Sequence, residues 1–157
     1  MNRTLGFLVI ALFALVPTLW AAETPYDFVA CFSYKVTPVE TTADITAVGL
    51  EGWGIVASST TKEWENATAH GVYVNWSMGG KAGGKSLLKW LTAAGDTIVG
   101  QADVTGTGEG TWAFLSGTGK LKGIQGGGWW KAVSAAKPIV QGTAQSCHHI
   151  WGKYTLP

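Results

Sequence analysis

The sequence predicts an all-β protein: one antiparallel β-barrel of about eight strands, preceded by a signal peptide that is cleaved. Three observations lead there. Aromatic and β-branched residues alternate with polar ones at period two from Asp27 to Val36. Short apolar stretches then recur at intervals of about 10–15 residues, separated by Gly-rich turn signals. No long stretch carries the 3.6-residue periodicity of an amphipathic helix.

The elements follow in chain order. Arg3 precedes an uncharged apolar run from Leu5 to Leu19, with Pro17 near its end and the small residues Ala21-Ala22 after it. This is the layout of a secretory leader, and at about 15 residues the run falls short of the ~20 that a membrane-crossing helix needs. Residues 1–22 are therefore expected to be the signal peptide and 23–157 a single β-barrel domain, exported to the periplasm or secreted. In the mature part, Asp27–Val36 is the first strand, with Phe28, Ala30, Phe32, Tyr34 and Val36 on one face. Val48–Ala57 is the second. Residues 58–67 are polar and loop-like. Gly71–Met78 is the third, with Val72, Val74 and Trp76 sharing a face. Leu87–Thr92, Thr97–Val104, Thr111–Leu115, Leu121–Trp130 and Cys147–Leu156 complete the set. Ala94-Gly95-Asp96 and Ser116-Gly117-Thr118-Gly119 read as tight turns between them.

Charge and cysteine content bear on function. Loss of residues 1–22 removes the only Arg and leaves ten Lys against ten acidic residues. A neutral, Arg-free domain lacks the basic footprint of a nucleic-acid binder. Cys31 and Cys147 remain, an even pair that in an exported chain reads as one disulfide. Such a bond would place the first and last strands side by side, as closing a sheet into a barrel requires.

One motif argues for different chemistry. Gly79-Gly80-Lys81-Ala82-Gly83-Gly84-Lys85-Ser86 satisfies the phosphate-loop pattern G-x-x-x-x-G-K-[ST]. The pattern needs a following helix within a parallel βαβ unit, and the flanking sequence offers neither, so no nucleotide is expected here and the segment reads as a Gly/Lys hairpin loop. His70, His148 and His149 form no dense ligand cluster, and no metal or other cofactor is assigned. On a strand His149 shares a face with Cys147 while His148 points away. Glu51, Asp96, Asp103 and Glu109 are scattered, Asp96 within a turn, and no catalytic residue is assigned. Asn66-Ala67-Thr68 and Asn75-Trp76-Ser77 are formal glycosylation sequons, the second inside a strand.

The glycine-rich stretch Gly108-Glu-Gly-Thr-Trp-Ala-Phe-Leu-Ser-Gly-Thr-Gly-Lys-Leu-Lys-Gly-Ile-Gln-Gly-Gly-Gly128, the ending Trp151-Gly-Lys-Tyr-Thr-Leu-Pro157 and the hairpin Lys89–Asp96 carry a resemblance. Together, over about residues 86–157, they resemble small exported bacterial proteins related to the allene oxide cyclase-like and dirigent barrels. The resemblance implies a barrel with an internal cavity and makes Leu87–Thr92 a strand. It transfers no catalytic residue, because dirigent pockets use acidic and Arg side chains.

Eight Trp follow the leader. Tyr34, Trp53, Trp76, Trp90, Trp112 and Phe114 are the candidate lining of a cavity, since an eight-stranded barrel holds either packed side chains or one small ligand. Trp129 and Trp130 are candidates for an exposed interaction surface, one of which must face outward because strand neighbours point to opposite sides. The leading expectation is a non-catalytic barrel that binds a hydrophobic or aromatic small molecule or serves as an accessory module. A cofactor-free isomerase or cyclase, which would need a buried acid in the cavity, and an interaction module built on exposed Trp are the alternatives.

Overall fold

A computed structural model describes residues 21–157, so the expected signal peptide lies almost wholly outside the described residues. Eight strands form a closed, antiparallel, up-and-down barrel in sequence order: β1 Thr24–Thr41, β2 Ile45–Ser59, β3 Thr68–Met78, β4 Lys81–Leu91, β5 Thr97–Gly106, β6 Glu109–Gly117, β7 Gln125–Ala136 and β8 Thr143–Thr155. The predicted fold class is the observed one. Strand boundaries differ most at β4, which begins at Lys81, and at β7, where Leu121 falls outside the strand in a short 3-10 turn, Gly119–Leu121.

The two ends of the barrel are built differently. The connections β1–β2, β3–β4, β5–β6 and β7–β8 lie at one end, the mouth, and place no buried residue over it. The β2–β3, β4–β5 and β6–β7 connections lie at the other end, the floor. Two of these fold inward. The 3-10 turn Lys62–Trp64 drives Trp64 under the barrel, where its ring stacks on Phe28 at 4.7 Å. Leu121 and Ile124 enter from the β6–β7 side, and both are buried. The return from Trp64 passes through Asn66 at φ 57, a left-handed conformation that Asn tolerates better than most residues. Tyr26, Phe114 and Tyr154 complete this aromatic floor, with Tyr26 edge-on to Phe114 at 5.5 Å. The segment read as a polar loop, residues 58–67, thus supplies a principal core residue.

Closure rests on β1 and β8. They pair over twelve positions, from Thr24↔Tyr154 to Lys35↔Thr143, and Cys31 sits directly opposite Cys147. The two form a disulfide across 116 positions of sequence. The shortest seam is β6–β7, with five register pairs from Glu109↔Lys131 to Ala113↔Gly127. Outside, the wall carries Lys35, Glu51, His70, Lys85, Lys89, Lys131 and Lys153, and no helix of the described residues is long and apolar enough to cross a membrane. Loop-entropy arguments put the stabilisation from so long a closed loop at about 4–5 kcal/mol at most. The double variant Cys31→Ser/Cys147→Ser should therefore unfold at a markedly lower urea concentration than the oxidised protein, and dithiothreitol should shift the native protein to the same midpoint.

A narrow bore forces large residues to face small ones. Tyr26, Phe28, Phe32 and Tyr34 all point inward from β1, so β2 can offer only Gly52 and Gly54 opposite two of them. A Cβ on Gly52 would lie 2.6 Å from the Tyr34 ring. The same holds at Gly100 on β5, whose missing side chain is replaced by the indole of Trp112. Gly100→Ala should push Trp112 from its seat and destabilise the barrel by about 1–3 kcal/mol, measurable by urea unfolding.

Candidate functional site

Above the aromatic floor the barrel is hollow. A cavity of about 340 Å³ occupies the half nearest the mouth. Its lower wall is Phe32, Leu88, Trp90, Trp112 and Ile150. Its middle is Tyr34, Tyr73, Ser86, Ala102, Trp130, Ser146 and His148. Leu50, Asn75, Val104, Ala135, Ala136, Ala144 and Gln145 form the upper walls. The space exists because the inward positions at this level include the small side chains of Ser86, Ala102, Ala135, Ala136, Ala144 and Ser146.

The polar groups of the cavity come together through the β1–β8 register. Ser146 and His148 are two apart on β8 and both point inward. The Ser146 hydroxyl lies 2.7 Å from His148 Nε2, and the Tyr34 hydroxyl lies 3.2 Å from the same nitrogen. The imidazole packs edge-on against Trp130 at 5.3 Å and Phe32 at 5.8 Å. Burial among these rings disfavours the imidazolium and lowers the His148 pKa to about 4. At neutral pH His148 is an uncharged ring with one donor and one acceptor nitrogen. Burial also raises the pKa of the Tyr34 and Tyr73 hydroxyls, keeping both protonated.

Four donors of the cavity-lining residues are buried without a hydrogen-bond partner: Tyr73 OH and the indole nitrogens of Trp90, Trp112 and Trp130. These four atoms are sealed from the cavity space as well as from solvent, and the polar side chains that line that space are those of Tyr34, Asn75, Ser86, Gln145, Ser146 and His148. No Asp or Glu lines the cavity among the described residues.

Sequence-predicted residues divide between the two sides of the wall. Tyr34, Trp90 and Trp112 line the cavity, whereas Phe114 belongs to the floor. Trp53 and Trp76 do not line it. Trp53 stands opposite Ser33 on the outer face and is half exposed, and Trp76 follows the inward Asn75 and so points outward. Val72 and Val74 face outward with it, while Ala69, Gly71 and Tyr73 face in. Trp129 is exposed, but Trp130 turns into the cavity and is not a surface residue. Tyr73, Ser146 and His148 line the cavity without having been among its sequence-predicted walls, although the Cys147-His148 alternation already set His148 opposite the disulfide face. The phosphate-loop match is a two-residue turn, Gly79-Gly80, running straight into β4, with Lys85 outward beside Asp103 and Ser86 in the cavity wall. No helix begins there, so the segment is a strand and not the flexible loop expected. Asn75 of the second sequon lines the cavity.

Fold and site together define a small closed barrel with a sealed floor and a one-ended apolar cavity. No family model matches the chain, and no curated protein matches it. Among solved structures it resembles the pterocarpan synthase dirigent protein GePTS1, at 13% identity and a TM-score of 0.54, over 87% of this chain and 94% of that one. The pterocarpan synthase dirigent protein PsPTS1 is similar at 13% identity and a TM-score of 0.53, over 87% of this chain and 97% of that one. The likeness shows a shared barrel fold, in line with the resemblance carried by the glycine-rich hairpin.

The neutral His148 has a consequence for stability. Its pKa is depressed in the folded state, so the unfolded chain takes up a proton near pH 6.5 that the native state refuses until about pH 4. Stability from this group is complete above pH 6.5 and falls as the pH drops towards 4, by about 3 kcal/mol at ~1.4 kcal/mol per pH unit. His148→Asn should lack that portion of the decline. Urea midpoints of both proteins at pH 7.5 and 4.5 measure it, and parallel curves would contradict a buried neutral imidazole.

Proposed function

We propose that this protein is an exported, non-catalytic barrel that binds a hydrophobic or aromatic small molecule in the cavity between the aromatic floor and the mouth. The observation that carries the proposal is the chamber itself, about 340 Å³ walled mainly by rings and aliphatic groups, with the Tyr34–His148–Ser146 cluster in its middle. Such a chamber favours an uncharged ligand with a flat apolar body and acceptor atoms. Rings at the walls cover the body, and the Tyr34–His148–Ser146 cluster orients its acceptors.

Export accounts for two features at once: a leader-like segment over residues 1–22 and a disulfide that a reducing cytosol would not maintain. Binding is favoured over isomerisation because no carboxyl lines the cavity, its imidazole is a weak base with a pKa of about 4, and its Tyr hydroxyls are weak acids with raised pKa. The dirigent proteins of similar fold are named as pterocarpan synthases. That activity is theirs, and the shared barrel supports only the idea of a ligand chamber.

N-phenyl-1-naphthylamine, an uncharged aromatic fluorophore, tests the reading. It should brighten on binding and quench Trp emission. Ala144→Phe, which fills the upper chamber, should weaken the binding at least tenfold without lowering the melting temperature by more than a few degrees. Equal binding by native and filled proteins would rule the cavity out as the site.

A further inference from the structure

Two motifs that the sequence offers for other chemistry meet inside the barrel. Asn75 belongs to the second glycosylation sequon, and Gly84 and Ser86 belong to the phosphate-loop match. Asn75 pairs with Gly84 across β3 and β4, and Ser86 pairs with Tyr73, two residues nearer the floor. Asn75 and Ser86 both line the cavity, so they are diagonal neighbours on one wall, about 7–8 Å apart along the backbone. Gly84 makes room for the pair, because a Cβ there would overlap the Asn75 carboxamide. Leu50 stands opposite Tyr73 and Val104 opposite Gly84, so this corner is polar at its centre and apolar around it.

The corner differs from the polar cluster on β1 and β8. There the Ser146 and Tyr34 hydroxyls both meet His148 Nε2, and the cluster is turned on itself. The Asn75 and Ser86 side chains hydrogen-bond to no other group among the described residues, and both open onto the chamber. Ser86 is only 7% exposed. A buried polar group without a partner carries a cost that a hydrogen-bonding guest removes. Asn offers two donors and an acceptor, and Ser offers one of each. A single guest group that both gives and takes a hydrogen bond therefore satisfies the two together. No Lys, Arg, Asp or Glu lines the cavity among the described residues, so a charged group would have no counter-ion there.

We propose that Asn75 and Ser86 form a specificity site, which selects aromatic ligands bearing a neutral group that donates and accepts at once, a hydroxyl or a lactam. The inference rests on the cavity binding proposed above and adds the chemistry that the β3–β4 corner recognises. It also gives the glycine at position 84 a role that its phosphate-loop spacing does not.

Displacement of bound N-phenyl-1-naphthylamine by naphthalene, 2-naphthol, 2-quinolinone and 2-naphthoate at pH 7.5 tests the proposal. 2-Naphthol or 2-quinolinone should compete about tenfold better than naphthalene, a gain that two neutral hydrogen bonds supply. The better of the two identifies the hydroxyl or the lactam as the preferred group. 2-Naphthoate, charged at this pH, should compete less well than either. Asn75→Leu and Ser86→Ala should each cut the advantage over naphthalene by about threefold or more. The advantage is a ratio, so a general loss of affinity cancels from it. Melting temperatures show whether each variant is folded, and Ser86→Ala, which removes a single heavy atom, carries the test if Asn75→Leu is not. Equal competition by naphthalene and its polar analogues overturns the proposal, as does an advantage that survives both substitutions. An advantage lost in Ser146→Ala and kept in the other two also overturns it, since the polar group then sits at His148. If the dye binds and the polar analogues gain nothing, this inference alone falls. If neither dye nor naphthalene binds, the cavity reading falls and takes the inference with it.

Discussion

The bore of an eight-stranded barrel is nearly constant, so the volume its walls direct inward must be shared among the strands. Here β1 takes most of that volume. Tyr26, Phe28, Phe32 and Tyr34 are buried along its inner face, and the neighbouring β2 yields with Gly52 and Gly54. Everything else in the molecule follows from this uneven division. Where Trp64, Leu121 and Ile124 add their bulk, the interior is solid. Where the opposing strands supply Gly and Ala and no loop folds in, the interior is open.

The same division places the polar chemistry. Tyr34 is the last buried ring of β1, at the level where packing gives way to space, and its hydroxyl meets His148 because β1 and β8 are held in a twelve-pair register with a disulfide in the middle. A shift of one residue would turn His148 outward and bring Cys147 in. The cross-link therefore does more than restrict the unfolded chain. It also sets which side of β8 is wet and which is enclosed.

Much of this could be read from the chain itself. The alternation from Asp27 to Val36 named the inner face of β1, the glycine signal at Gly95 marked a true turn, and the two cysteines implied closure, whereas Ser116 and Gly117 of the second expected turn end β6 and the connection runs on through the 3-10 turn to Ile124. The site was less legible for a physical reason. In β3 the more apolar set, Val72, Val74 and Trp76, lies outside, because the inner positions opposite Leu88 and Trp90 have room only for Gly71 and Ala69. Hydrophobicity names the inner face only where the neighbours leave space for it. Trp64 was hidden in a polar stretch whose role depends on folding back under the barrel. His148 and Tyr34 are 114 positions apart, and their meeting is a property of the strand register.

The five-pair seam between β6 and β7 carries a further consequence. A ladder with few rungs is where thermal breathing first unlaces a wall. Trp112 and Trp130 flank that line of stitches, one on each strand, and both are walls of the chamber. Parting of that line would open the chamber sideways, between the rings that wall it. The rate of a ligand's escape would follow the fraying of one hem and not the width of the opening above.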